Sequence, residues 1–441
     1  MLRVLRPSDK VPQGRGGSSA GRRRAAWKTM RNKLFSGKEF GGQFFLPGDL
    51  KYPSVMKKQV YLDYHATTPV DPRVLDAMLP YLKDSFGNPS SKTHPFGWAA
   101  REAVEKARTQ VASLLNASSG EIYFTAGATE SNNISLRGVT RQPPGERDHL
   151  LTQSTEHHAV LDPLRKLEKE GWRLTVLNPD SEGFINPGAV EEAIDERTLL
   201  VSIMAANNEI GTVQPLEELG RVVNEAGALL HCDAAQAAGK IELDVERSGL
   251  SMLSISGHKF CAPKGVGALY RRKRGNRVRL DPLALGGGQE EGLRPGTLNV
   301  PGIVGLGEAC RIASEELQEE AQRVGRLRDL LLEGIRGGIP DVTVNGPADL
   351  EKKLSGNLSL SFKDVDGSAL IVSLGDLAAS AGSACTAGNA EPSYVLKAIG
   401  TPMELAVSTL RLGLGRFTTE EDVSYATGRI VETVGKLRRV R

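Results

Sequence analysis

From about Asp71 onward the apolar positions recur in two alternating rhythms. Between Trp98 and Leu115, the residues Val104, Ala107, Val111, Leu114 and Leu115 fall at helical spacing with charges between them, which predicts an amphipathic helix. "EIYFTAG" then reads as a buried strand ended by Gly127, and "HLLTQST", "RLTVLNP", "LLVSIMAAN", "ALLHCDAA" and "MLSIS" read as further strands. Helical segments over 163–170, 189–195 and 216–226 lie between them. Strand and helix in alternation imply βαβ units, hence an α/β fold with a mostly parallel sheet flanked by helices. Sheets of that kind gather their ligands at the carboxyl ends of the strands.

After a long charged helix over about 305–336 the pattern changes. "GNLSLSF" and "LAASAGSA" surround a helix, and "TTEE" has the form of a helix N-cap before the last amphipathic run. This predicts a smaller α+β domain. The expected organisation is an arm over 1–58, a segment over 59–72 joining the small domain, a large domain over 73–315 and the small domain over 316–441.

Composition narrows the classes. Of 441 residues, 39% are hydrophobic and 25% charged, ordinary for a globular chain. The net charge of +3 is local to the arm, whose first thirty-odd residues carry Arg3, Arg6, Arg15, Arg22, Arg23, Arg24 and Lys28 against the single acid Asp9. The remainder carries no nucleic-acid footprint, and no apolar run approaches the ~20 residues of a membrane span. The arm's Arg/Gly/Ser-rich, acid-poor composition resembles an organellar presequence. A disordered tail, or a true start at Met56, accounts for it equally. The cysteines Cys232, Cys261, Cys310 and Cys385 are far apart and form no C-x-x-C, which argues against structural zinc and a disulfide scaffold. A reducing compartment, cytoplasm or organelle matrix, fits that usage.

The chemistry-bearing residues sit at predicted strand ends. In "SISGHKFCAPKGVGALY" a strand gives way to Ser256, His258 and Lys259; a lysine there is either solvated charge or an amine for Schiff-base chemistry. Asp233 ends the apolar "LLHCDAAQ", as a helix N-cap or as the partner of a protonated heterocycle nitrogen such as that of pyridoxal phosphate. "FTAGATESNN" places Thr129 and Glu130 in a helix's first turn, a plain cap or a phosphate site. His157 and His158 follow another strand, and Asn207, Asn208 and Glu209 a further one. "SAGSACTAGNAEPSYVL" sets Cys385 among residues too small to pack, which reads as a loop rather than a core position.

In order and spacing these stretches, with "YLDYHATTPVDPRV", "GNPSS", "GGGQEEGLRPGTLN" and "LRLGLGRFTTEED", resemble the cysteine desulfurases, in the class-V aminotransferase branch of pyridoxal-phosphate enzymes. The resemblance covers residues 60 to about 435. It implies the pyridoxal-phosphate aminotransferase-like fold, with Lys259 as the Schiff-base lysine and Asp233 as the pyridinium partner. His157 would stack on the ring and handle protons, and Gln236 would bond the phenolic oxygen. Ala128, Thr129, Ser256 and His258 would hold the phosphate, joined by Thr297 from the neighbouring subunit of a homodimer. Asn208 and Arg411 would bind the amino acid, with Arg411 on its carboxylate. Cys385 would accept sulfur from L-cysteine as a persulfide, leaving L-alanine, and pass it to an acceptor protein for iron–sulfur clusters or other thio-cofactors. No metal, membrane or direct nucleic-acid role is implied.

Several positions depart from the family pattern. Pro295 replaces a usual serine before Thr297, Cys261 and Ala262 stand where an aromatic and a glycine are commoner, and Ala381 replaces a serine. The closing "GKLRRVR" lacks the aromatic-containing tail of relatives that feed iron–sulfur scaffolds. Two other activities are compatible with the same fold: a selenocysteine lyase or related lyase, and a catalytically silent assembly subunit. The thiol at Cys385 speaks against the first, and the joint presence of Lys259, Asp233, His157 and Cys385 against the second.

Overall fold

The computed structural model describes residues 59–140, 145–275, 277–381 and 392–440. The arm expected over 1–58 and Cys385, the expected sulfur acceptor, lie outside the described residues.

The strands are β1 (Val60–Tyr61), β2 (Ile122–Thr125), β3 (His149–Gln153), β4 (Arg173–Leu177), β5 (Thr198–Ser202), β6 (Leu229–Asp233), β7 (Met252–Ser256) and β8 (Gly267–Arg271). After them come β9 (Val342–Val344), β10 (Asn357–Phe362), β11 (Leu377–Ala378), β12 (Ser380–Ala381) and β13 (Thr409–Gly413). Seven form one sheet in the order β2-β8-β7-β6-β5-β3-β4. β3 through β7 pair in parallel, whereas β8 runs antiparallel to both its neighbours, β7 and β2. β2 therefore points the same way as β3–β7, and six carboxyl ends share one edge. The interior strands read as unbroken apolar runs because helices cover both faces, and β3 and β7 are buried at every position.

Among the described residues the predicted strands form, "LAASAGSA" as far as Ala381, and the predicted helices form with shifted ends. The helix expected from Pro163 starts five residues earlier, at His158, and carries Pro163 within it. Its start is set by His157, whose Nδ1 accepts from the Ala159 backbone N–H at 3.0 Å, so an imidazole caps where a proline suggested the first turn. "TTEE" caps as expected: the Thr419 Oγ1 accepts from the Asp422 N–H at 3.1 Å and the Asp422 carboxylate from the Thr419 N–H at 3.1 Å, ahead of the helix Glu420–Val440.

A second sheet has the order β12-β13-β10-β9, and β1 pairs with β11 in parallel. Two main apolar clusters result. One gathers Ile203, Leu230, Leu253 and Ile255 with Val104 and Leu306, and the other gathers Leu62, Leu358, Leu360 and Leu412 with Leu331 and Ile430. The helix Val300–Gly338 contributes to both, so residues 315 and 316 fall inside one continuous helix. Among the described residues no helix is long and apolar enough to cross a membrane.

Candidate active site

The shared edge of carboxyl ends opens into a cavity of about 1040 Å³ lined by Ala128, Thr129, His157, Asn208, Asp233, Gln236, Ser256, His258, Lys259 and Arg411. Nine of these ten come from the first sheet's strand ends, and Arg411 comes from β13 in the second. Thr297 is exposed and does not line this cavity.

Lys259 follows β7 in a tight turn, and its Nζ donates to the backbone oxygens of His65 at 2.7 Å and Ala66 at 3.0 Å. Burial, and then the Arg411 charge, push its amine down to about 8, which leaves a substantial neutral fraction near physiological pH. Asp233 ends β6 with Oδ2 accepting from the Asn132 side chain at 2.7 Å and Oδ1 from the Ala235 N–H at 2.9 Å. Both oxygens keep lone pairs for a further donor. His157 has its Nδ1 occupied as an acceptor, so the neutral ring carries its proton on Nε2. Burial lowers its basicity, with opposing influence from Asp233. His158 faces elsewhere, edge-on to Tyr394 with centroids 5.1 Å apart and 3.2 Å from Asp162.

The anion end is built by close backbone approach. A Cβ on Gly267 would lie 2.4 Å from the Ile255 oxygen and 2.6 Å from the Gly127 Cα, so β8 is forced to carry glycine there. Gly127 itself has φ 149° and leads directly into the helix Ala128–Val139. That brings the free N–H groups of the helix start, Thr129, Ser256 and His258 around one end of the cavity. His258 is pushed down to about 4 by burial and the Lys259 charge, and its Nδ1 lies 3.2 Å from the Thr67 hydroxyl.

At the other wall, Arg411 contacts Asp63 at 2.9 Å through Nη2 and donates to the Asn208 backbone oxygen at 3.1 Å through Nη1. Its Nε and the Asn208 Oδ1 are buried with no partner. Two orphaned polar groups at one wall cost about 1–3 kcal/mol each unless a polar ligand meets them. The residues present thus fit pyridoxal phosphate: an amine, an acid acceptor, a helix-start cradle and, beyond them, polar groups awaiting a small zwitterion.

Sequence reasoning did not assign His65, Thr67, Asn132 or Asp63, although "YLDYHATT" was visible as a motif. Each acts through contacts at long sequence separation. Glu156 was also missed: it is fully buried, its carboxyl pushed up to about 8 by burial, with Oε1 accepting from Gln153 at 2.8 Å and from the Met204 N–H. Ser393, which caps the helix Tyr394–Ala398, donates to the Glu209 carboxylate at 2.5 Å. Ser380 pairs with Arg411 across β12 and β13. Cys261 is buried, with its N–H bonded to the Thr68 hydroxyl at 2.8 Å, in line with a packing role.

A model of the aminotransferase class-V family matches residues 60–425. Together with the sheet and the lysine–acid pair over its carboxyl edge, that match defines the class, a class-V aminotransferase, a family that uses pyridoxal phosphate. A cysteine desulfurase IscS of Anaeromyxobacter sp. (strain Fw109-5) is 51% identical over 385 residues, covering 87% of this chain and 95% of that protein. A cysteine desulfurase of Homo sapiens is 49% identical over 383 residues, covering 87% of this chain and 83% of that one. A solved NifS-like protein superposes with TM-score 0.80 at 40% identity, over 86% of this chain and all of that one. SspA in complex with cysteine gives 0.73 at 39% identity, over 82% of this chain and all of that one. The chain belongs to the cysteine desulfurases.

Proposed function

We propose that this chain removes sulfur from L-cysteine, giving L-alanine and a persulfide on Cys385, with the site residues in the following roles. Lys259 would hold pyridoxal phosphate through its amine, Asp233 would face the ring nitrogen, Gln236 the phenolic oxygen, and His157 the ring. Ala128, Thr129, Ser256 and His258 would hold the phosphate. When bound, the cofactor supplies an electron sink for charge developing at the substrate Cα.

The chain's own groups do the rest. Arg411 and Asn208 orient the substrate carboxylate, and the placement of the Arg411 guanidinium beside Asn208 in the cavity wall is the observation that carries this reading. Lys259, with its depressed amine, takes the Cα proton and later returns a proton to carbon. His157 offers an Nε2–H as a neutral donor in the same cavity. The substrate Cβ–Sγ bond breaks and an S–S bond forms on the Cys385 thiolate; the carbon is reduced to a methyl group while the sulfur pair takes up the oxidation.

Two finer readings accompany this one. A homodimer is supported by an exposed apolar stripe: Leu75, Leu79 and Leu82 on the helix Pro72–Lys83, with Phe86, Phe96 and Trp98 beyond it. Thr297, exposed in its own subunit, would then reach the partner's phosphate, and an acceptor protein would take the persulfide. We place the enzyme in the cytoplasm, or in an organelle matrix if residues 1–58 act as a transit peptide. A reporter fused to those residues decides between the two, since retention in the cytoplasm removes the second.

Mass spectrometry of the purified holoenzyme after L-cysteine tests the main reading. We expect one added sulfur on Cys385, and a Cys385→Ala variant that stays yellow without gaining sulfur. Free sulfide with no protein-bound sulfur would turn the assignment to a lyase, and no alanine at all would turn it to a silent subunit.

A further inference from the structure

Beside the large cavity, and sharing His65 and Lys259 with it as walls, lies a smaller chamber of about 40 Å³. Its walls include His65, Lys240, Lys259, Glu320 and Arg416. Lysine 240 takes no part in the roles above, yet its Nζ donates to the Gln236 Oε1 at 3.0 Å. The same oxygen lies 3.1 Å from the His65 Nδ1, and the Gln236 Nε2 donates to the His65 backbone oxygen at 2.8 Å.

These contacts fix every atom of the cluster. The His65 carbonyl can only accept, so the Gln236 atom facing it is the nitrogen and the oxygen turns to Lys240. His65 must then donate from Nδ1, and its Nε2 is left as a buried lone pair without a partner. One Gln236 N–H is used by the His65 carbonyl, and the other is left for the cavity that Gln236 also lines. A cation on the amide oxygen polarises the amide and strengthens that remaining N–H as a donor.

We propose that Lys240 is a positioning residue of the desulfuration site, acting from the smaller chamber by pinning the Gln236 amide oxygen and turning its free N–H to the cofactor's phenolic oxygen. This rests on the cofactor placement proposed above. The second consequence is electrostatic. Lys240 faces Lys259 and Cys261 from the segment after β7, Glu320 from the helix Val300–Gly338, Arg411 and Arg416 from β13 and the loop beyond it, and His65 from the segment after β1. Burial and the Lys259 charge bring its own amine down to about 7. Its cationic form disfavours a second positive charge at the Lys259 nitrogen, so both effects lower the proton affinity of the Lys259-bound cofactor.

The test is a pH titration of the holoenzyme's visible absorbance, in the parent and in Lys240→Met and Lys240→Arg. Methionine keeps the bulk and loses donor and charge; arginine keeps both. We expect the midpoint to rise by about one pH unit in Lys240→Met, a tenfold change in proton affinity, and to return toward the parent in Lys240→Arg. A midpoint unmoved in a folded Lys240→Met overturns the proposal, as does an arginine variant that behaves like the methionine one. If Lys240→Met does not fold, Lys240→Gln is read in the same way, and failure of both to fold makes the residue structural and ends the proposal. A parent that binds no cofactor would instead sink the functional reading, so the two failures are distinguishable.

Discussion

Replacing Arg411 by lysine tests the carboxylate-binding role proposed for its side chain. The guanidinium has five N–H groups; one meets Asp63 at 2.9 Å, one meets the Asn208 carbonyl at 3.1 Å, and the buried Nε–H has no partner. A lysine keeps a cation beside Asp63, which spares the fold the loss of a buried pair, but it offers a point charge in place of a fork. One charge-assisted hydrogen bond to the substrate carboxylate is then lost, worth about 1.5–3 kcal/mol. At about 1.4 kcal/mol per decade, kcat/KM for L-cysteine should fall roughly 10- to 150-fold, mostly through a higher KM. Alanine formation over a series of L-cysteine concentrations measures it, with the cofactor absorbance and the Tm as controls for an intact site. A kcat/KM within threefold of the parent in an intact holoenzyme would refute the assignment of this wall to the carboxylate.

Capture of pyridoxal phosphate by the apo-protein requires a neutral Lys259 amine, so its rate should rise with pH through a midpoint near 8 rather than the ordinary lysine value of 10.5. That difference gives about 300-fold more neutral amine at pH 7; stopped-flow absorbance reads the midpoint, and a value above ~9.5 contradicts the depressed amine. Glu156 is protonated in the fold up to about 8 against an ordinary 4.5. Its burial therefore costs nothing below pH 4.5 and progressively more as pH rises to 8, the range over which only the unfolded chain is ionised. Glu156→Gln keeps an acceptor for the Gln153 amide and the Met204 N–H, so it should raise the Tm at pH 8 and gain little at pH 5; an unchanged Tm at pH 8 contradicts this. Leu79→Glu together with Leu82→Glu should convert a dimer to monomer in analytical ultracentrifugation, and a dimer that survives both removes the stripe from the interface.

Much of this was legible in the chain. Continuous apolar runs marked β3 and β5 to β7, and the polar residues closing them, His157, Asn208, Asp233 and Lys259, do meet at one cavity. The pattern worked because a parallel sheet aligns its strand ends, so neighbours in space need not be neighbours in sequence. What stayed hidden depends on tertiary contact. Asp63 and His65 are separated from Arg411 and Gln236 by 348 and 171 positions. Nothing local distinguishes Lys240 from a surface lysine until the helix Val300–Gly338 and β13 close over it. His157 as a cap displaced a helix start by five residues because a ring nitrogen substituted for the usual Ser, Thr or Asp.

The anchoring around Arg411 has one more consequence. Ser380 is paired with Arg411 in the sheet, while Ser393 is tied to Glu209, the neighbour of the Asn208 whose carbonyl Arg411 also holds. Ser380 and Ser393 lie among the described residues on either side of the stretch that contains Cys385. In the roles proposed above, binding of the amino acid at Arg411 and anchoring of the residues that flank the Cys385 stretch would draw on the same few atoms. Under that proposal specificity and delivery share a single constraint, and a lineage that retuned one for a new substrate would have to rebuild the other in the same step.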